Sequence, residues 1–280
     1  MKNFYSIYQK FAGFLSGFKL GEIPFLRQLH GFLKVHLRPK FVKIGEYKFF
    51  INRNDFAVSS HLLGDKVYEP TETNIVRGQI NKGDIVVDMG ANIGYYTLIF
   101  AGLVGKSGKV FAFEPDRDNF ALLSKNVKEN KFDNVILINK AISDKNGQTK
   151  LYLSKDNKGD HRIYDSGENR DSVVVDVVCL DDFLGEYKHK INFIKMDIQG
   201  AEGNALKGMI DIIKNSKKIK ILAEFWPMGL SNFNFNPKEF LEILEDYGFS
   251  FYNIQRAGTI KATKDKILKK YPADKIDHTN

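Results

Sequence analysis

The stretch VVDMGANIGYYT, residues 86–97, constrains the fold more than any other. It opens as a buried strand. An acid, a glycine, an asparagine and a second glycine then interrupt the apolar run before a helical pattern begins. Glycines at such a junction let the chain turn sharply, and they let a ligand approach the main chain with no Cβ in the way.

The same strand-to-helix rhythm recurs down the chain. DIVVDMG, GKVFAFEPD, NVILINKAISD, INFIKMD and IKILAEFWP read as strands. GYYTLIFAGLVG, a run from about Arg117 to Asn130, and AEGNALKGMIDIIKN read as helices. This alternation predicts an α/β fold with a doubly wound, mostly parallel sheet covered on both faces. TKLYLS and SVVVDVVCL break the rhythm as an antiparallel insertion, joined by the polar loop KDNKGDHRIYDSGENR. Upstream, VKIGEYKFFINRND alternates like a hairpin, and EPTETNIVRGQI reads as a helix with Thr71 or Thr73 near its start. The expected division is a helical and hairpin extension over residues 1–68, the main domain over 69–260, and a lysine-rich, partly disordered tail over 261–280.

In an open parallel sheet, ligands bind beyond the carboxyl ends of the strands, at the switch in strand order. Gly90 and Gly94 supply the open turn there, but Asn92 stands where a dinucleotide fingerprint has its middle glycine. That argues against a pyrophosphate. Asp88 argues the same way, because a carboxylate repels phosphate and suits a cation. Glu114, in FAFEPD, is spaced to accept both hydroxyls of a ribose, and Asp144, in AISD, is expected at the end of the third strand near an adenine. Three acids at three strand ends match a ligand with amino-acid, ribose and adenine parts, S-adenosylmethionine. Each acid also has a plain structural reading, as a helix cap, a surface carboxylate or a turn residue.

VVDMGANIGYYTLIFA, FAFEPDRDNF, AISDKNG, CLDDFL and INFIKMDIQGAEGNALKGM together resemble the FkbM family of S-adenosylmethionine-dependent methyltransferases. The resemblance covers roughly residues 69–226 and implies a class I methyltransferase (Rossmann-like) fold. It implies Gly90, Asn92 and Gly94 around the methionine part of the cofactor, Glu114 on the ribose, Asp144 near the adenine, and Glu69 and Thr71 at the methionine end. Asp197 and Glu202 match the family, whereas Gln199 stands where the family usually has an acid. The acceptor it implies is a hydroxyl of a sugar, glycan or related small molecule. Asp197, at the end of the fourth strand, is the first choice to orient or deprotonate that acceptor, the alternative being that it binds only the methionine ammonium. Glu202, Glu224 and His161 are the further catalytic candidates, although Glu202 also suits a helix N-terminus and His161 a solvated loop.

The formal net charge of +8 favours an acidic partner, which keeps an RNA or nucleic-acid methyltransferase as an alternative. Against it, MDIQG lacks the Asn/Asp-Pro-Pro-aromatic motif that holds an exocyclic amine. A catechol-type metal mechanism is disfavoured because no Asp-Asn pair follows the fifth strand, so no metal is expected. Residues 1–40 interleave Phe4, Tyr8, Phe11, Phe14 and Phe18 with lysines and arginines, and Glu22 is their one acid. That describes a helix in an anionic membrane interface. The competing readings are a packing segment or a homo-oligomer interface, and a non-catalytic membrane-associated cofactor scaffold is the remaining functional alternative. With no spanning run, no secretory signal and Cys179 as the one cysteine, the expected location is cytoplasmic, with peripheral membrane contact.

Overall fold

The structure is a computed structural model that describes Phe25, Leu33 and residues 36–216, 218–256 and 258–273. The segment expected to lie on a membrane, residues 1–40, is thus almost wholly outside the described residues. Among the described residues, no helix is long and apolar enough to cross a membrane.

The chain opens with the hairpin β1 (Phe41–Ile44) and β2 (Tyr47–Phe50), then α1 (Val58–Gly64) and α2 (Pro70–Gln79). The alternating core comes next, as β3 (Ile85–Met89), α3 (Tyr95–Val104), β4 (Lys109–Phe113), α4 (Arg117–Glu129) and β5 (Val135–Ile138). The insertion comprises β6 (Ala141–Ile142), β7 (Gly147–Tyr152) and β8 (Ser172–Val178). After α5 (Leu180–Phe183), the core resumes with β9 (Phe193–Met196), α6 (Glu202–Lys207), α7 (Ile210–Asn215) and β10 (Lys220–Ala223). It closes with α8 (Pro227–Asn232), α9 (Pro237–Asp246), the hairpin β11 (Phe251–Gln255) and β12 (Gly258–Ala262), and α10 (Lys264–Lys270).

The central sheet runs β10-β9-β3-β4-β5 with every pair parallel. Strand order therefore reverses between β3 and β9, the switch point of a doubly wound fold. Alternation along each strand feeds two cores. Val87, Met89, Phe111, Phe113, Ile194 and Met196 pack towards α6, α7 and α9. Val86, Val110, Ala112 and Phe193 pack towards α3 and α4. This is the double-sided burial that the apolar runs predict.

Three local details beyond the sequence reading have physical causes. The third strand stops at Ile138, because Ala141 and Ile142 leave the central sheet to pair in parallel with β8. The helix expected over AEGNALKGMIDIIKN is two helices. A Cβ at Gly208 would sit 2.1 Å from Ser143 O, and the new N-terminus of α7 is capped by Asp181, which accepts from Asp211 N–H and Ile212 N–H at 2.9 Å each. Within the tail expected to be partly disordered, residues 264–270 form a helix, because α10 buries Ile267 and the adjoining Tyr271 against the core.

Candidate active site

The parallel register lines up one residue from each strand just past the sheet. Phe113, Met89, Met196 and Ala223 form the last paired row. The next row is Asn139, Glu114, Gly90, Asp197 and Glu224. Its members are tied by Glu114 N–H to Ile138 O (3.1 Å), Gly90 N–H to Phe113 O (3.0 Å), Asp197 N–H to Met89 O (3.2 Å) and Glu224 N–H to Met196 O (2.9 Å). Gly90 is central, with φ +77°, and a Cβ there would lie 2.0 Å from Asp197 O. Only glycine fits that close approach. At Gly94 (φ +90°) a Cβ would meet Leu123 at 2.7 Å, so this glycine serves the packing of α3 on α4.

A cleft opens over this row, and its wall includes Asp88, Gly90, Asn92, Glu114, His161, Lys195, Asp197 and Gln199. On one side stands Glu114. Its Oε2 accepts from Asn92 N–H at 2.8 Å and its Oε1 from Asp116 N–H at 2.9 Å. Burial pushes its carboxyl up to about 8 despite these two donors. Asn92, left-handed at φ +50°, also donates through Nδ2 to Lys158 O at 2.9 Å, and Asn119 Nδ2 reaches the same oxygen at 2.8 Å. The insertion loop is thereby pinned across the Glu114 side of the cleft.

The other side is a buried charge network. Asp88 and Lys195 are register partners on β3 and β9, so the pleat sends both towards α3. Asp88 Oδ2 accepts from Thr97 Oγ1 at 2.6 Å, while its Oδ1 is buried with no hydrogen-bond partner among the described residues. Lys195 Nζ donates to Asp197 Oδ2 at 2.8 Å and lies 4.8 Å from the Tyr96 ring centroid. Burial opposes its charge, yet Asp197, Glu69 and Asp88 together hold its pKa above the ordinary lysine value. Tyr96 in turn donates to Glu69 Oε2 at 2.8 Å. Gln199 Nε2 bridges Asp197 Oδ1 and Glu224 Oε2, at 3.0 Å each. Burial, then the Asp197 charge, raises Glu224 well above the usual carboxylate range.

Not every expected residue reaches the cleft wall. Asp144 is exposed and accepts from Ser143 Oγ at 3.0 Å. The early end of β5 puts Asn139, not Asp144, in the strand-end row, and Lys140, Ala141 and Ile142 line the cleft at this end. Thr71 is half-buried in the first turn of α2 and is not part of the wall. Glu69 reaches the cleft through Tyr96, and Glu224 through Gln199. Glu202 is fully buried and accepts from Ile198 N–H and Gly200 N–H at 2.9 Å each. It fixes the turn that carries Asp197 and Gln199, while burial pushes its carboxyl up to about 7.

His161 is not solvated in an exposed loop. Its Nδ1 accepts from Ser154 N–H at 3.0 Å, which leaves the ring proton on Nε2. Burial lowers its pKa, and the charges acting on it next are Asp116 and Lys158, so it belongs to the Glu114 side. Lys195, Tyr96 and Asn139 are not among the residues that the sequence pattern singles out. The two-residue spacing of Lys195 and Asp197, which puts both on one face of a strand, is the signal that marks the lysine.

A family model, Methyltransferase FkbM domain, matches residues 88–251. The chain is 28% identical over 146 residues to Methyltransferase 1 of Beauveria bassiana, covering 45% of this chain and 58% of that one. It is 28% identical over 140 residues to the hexuronic acid methyltransferase AglP of Haloferax volcanii, covering 49% and 54%. The chain thus spans little more than half the length of these relatives. Among solved structures, it is similar to the methyltransferase FkbM of Methylobacillus flagellatus, with 20% identity, TM-score 0.41, and coverage of 62% of this chain and 39% of that one.

Proposed function

The chain belongs to the FkbM methyltransferase family, and from that premise we propose that it transfers a methyl group from S-adenosylmethionine to a hydroxyl of a sugar, glycan or related small molecule. The observation that carries this reading is the strand-end row, with Gly90 flanked by Glu114 on one side and by Asp197 and Glu224 on the other.

The residues fit the cofactor on three counts. Gly90 leaves the main chain open, the unpartnered Asp88 Oδ1 offers a buried acceptor for a cationic or N–H group, and Glu114 is a buried carboxylate suited to two ribose hydroxyls. Asn92 holds Glu114 in place through its main chain. The cofactor supplies an electrophilic methyl group carried on a sulfonium. On the acceptor side, Asp197 is held by Lys195 at the strand end beside Gly90, so it is the group to orient the hydroxyl or take its proton. His161, donating from Nε2, belongs to the cofactor side of the cleft in this reading, and Glu202 supports the turn. The name of the Haloferax volcanii relative supports a sugar acceptor.

The test is transfer of labelled methyl from S-adenosylmethionine to a panel of methyl glycosides and uronic acids. Product carrying an O-methyl group supports the reading. Binding of the cofactor without transfer to any sugar, together with transfer to RNA, would replace it.

A further inference from the structure

Gln199 stands in the turn after β9 in the left-handed region, at φ +56°, and lines the cleft. Its amide nitrogen is 3.0 Å from Asp197 Oδ1 and 3.0 Å from Glu224 Oε2. A primary amide nitrogen has two hydrogens to donate, and its oxygen can only accept. Both hydrogens are therefore committed to the two strand-end carboxylates. The reversed amide would give up both donations and set its oxygen against Asp197 Oδ1 instead, so the hydrogen bonds fix the orientation. The end of the side chain left for the cleft is the carbonyl oxygen. An acid at this position, as the resembled family usually has, would bring a third carboxyl group beside Asp197 and Glu224.

Resting on the methyltransferase reading above, we propose that Gln199 is a specificity-determining residue of the acceptor site, its carbonyl oxygen receiving a hydrogen bond from a hydroxyl of the acceptor sugar. The carboxylates behind it act through the amide. Asp197 and Glu224 hold the nitrogen, Lys195 holds Asp197, and the main-chain turn is held by Glu202. The left-handed backbone, strained for a residue with a Cβ, is maintained by this set of contacts. The charged and titratable groups facing the amide or its partners are Glu69, Tyr68, Lys195, Asp197, Glu202 and Glu224.

The experiment uses the full chain as wild type, Gln199→Met and Gln199→Glu. Initial rates of methyl transfer are measured against the same panel of methyl glycosides, with S-adenosylmethionine affinity measured separately by calorimetry. Gln199→Met keeps the length of the side chain and removes the acceptor oxygen together with the donors to Asp197 and Glu224. It should raise the acceptor KM about tenfold or more while cofactor affinity stays within about twofold. Gln199→Glu should be weak near about pH 8 and recover relative to wild type towards about pH 6, because a protonated carboxyl again presents a donor to its neighbours and a carbonyl to the cleft. An unchanged acceptor KM in Gln199→Met overturns the proposal. So does a parallel loss of cofactor affinity, or a Gln199→Glu profile that tracks wild type at every pH. If wild type binds the cofactor but methylates no glycoside, the parent reading fails, and the role of Gln199 fails with it.

Discussion

Lys195 Nζ lies 2.8 Å from Asp197 Oδ2, two residues along the same strand end, with the Lys195 side chain 6% exposed and that of Asp197 25%. A buried ammonium here is tolerated because carboxylates surround it. Asp88 is its neighbour across the β3–β9 register, and Glu69 acts on it from the start of α2. Removing one partner of such a pair strands the other charge.

Lys195→Met should therefore destabilise the chain by about 3 kcal/mol, the low end of the range for broken buried pairs because Asp197 keeps some contact with water. Urea denaturation measures it. A change below about 1 kcal/mol would mean that Asp197 relaxes into solvent and the network is not a unit.

Gly90→Ala should be among the most damaging single substitutions. The new Cβ would meet Asp197 O at 2.0 Å from a backbone at φ +77°. A loss of roughly 2–4 kcal/mol, or failure to accumulate as folded protein, is expected. A thermal unfolding curve matching wild type would show that the turn has an alternative conformation.

The raised carboxyl of Glu114 makes two linked pH predictions. Its folded pKa of about 8 lies above the ordinary 4.5, so the folded chain binds the proton more tightly than the unfolded chain does. Its contribution to stability is full below about pH 4.5 and is lost as pH rises through about 8. Glu202, pushed up to about 7, adds in the same direction. Glu114→Gln should flatten this part of the stability profile. Ribose hydroxyls favour the ionised carboxylate, so wild-type affinity for S-adenosylmethionine should rise towards about pH 8. Glu114→Ala should weaken binding about ten- to a hundredfold. Calorimetry in buffers of different ionisation enthalpy reads both effects, and pH-independent binding without proton release excludes Glu114 from the contact.

Asp197→Asn and His161→Ala should separate chemistry from cofactor binding. The first should lower turnover by roughly 10²–10⁴-fold with cofactor affinity little changed. The second should weaken cofactor binding more than it lowers kcat, because His161 sits with Asp116 and Lys158 on the Glu114 side. Since burial lowers its pKa, His161 is neutral at pH 7 and contributes no acid limb to kcat near that pH. If His161→Ala instead matches the turnover loss of Asp197→Asn, the histidine works on the acceptor.

What the sequence by itself determined is what depends on neighbours along the chain. The alternation of apolar runs sets the strands and helices, and the ends of β3, β4, β9 and β10 follow from where their apolar patterns stop. Because parallel strands of similar length end on one edge, Asp88, Gly90, Glu114, Asp197 and Glu224 are assigned to that edge by pattern alone. Tertiary structure decided whatever depends on distant partners. Asp144 left the strand-end row because Ala141 and Ile142 pair with β8, some 36 residues away in sequence. His161 entered the cleft because Asn92, Asn119 and Asp55 bind the main chain of Lys158 in the same loop. Glu202 turned to main-chain amides, and Gln199, with no role assigned from sequence, joined two strand-end acids. A strand end is set by local pattern unless a distant strand captures it, whereas the direction of a polar side chain is set by whichever donor or charge the completed fold brings within hydrogen-bond reach.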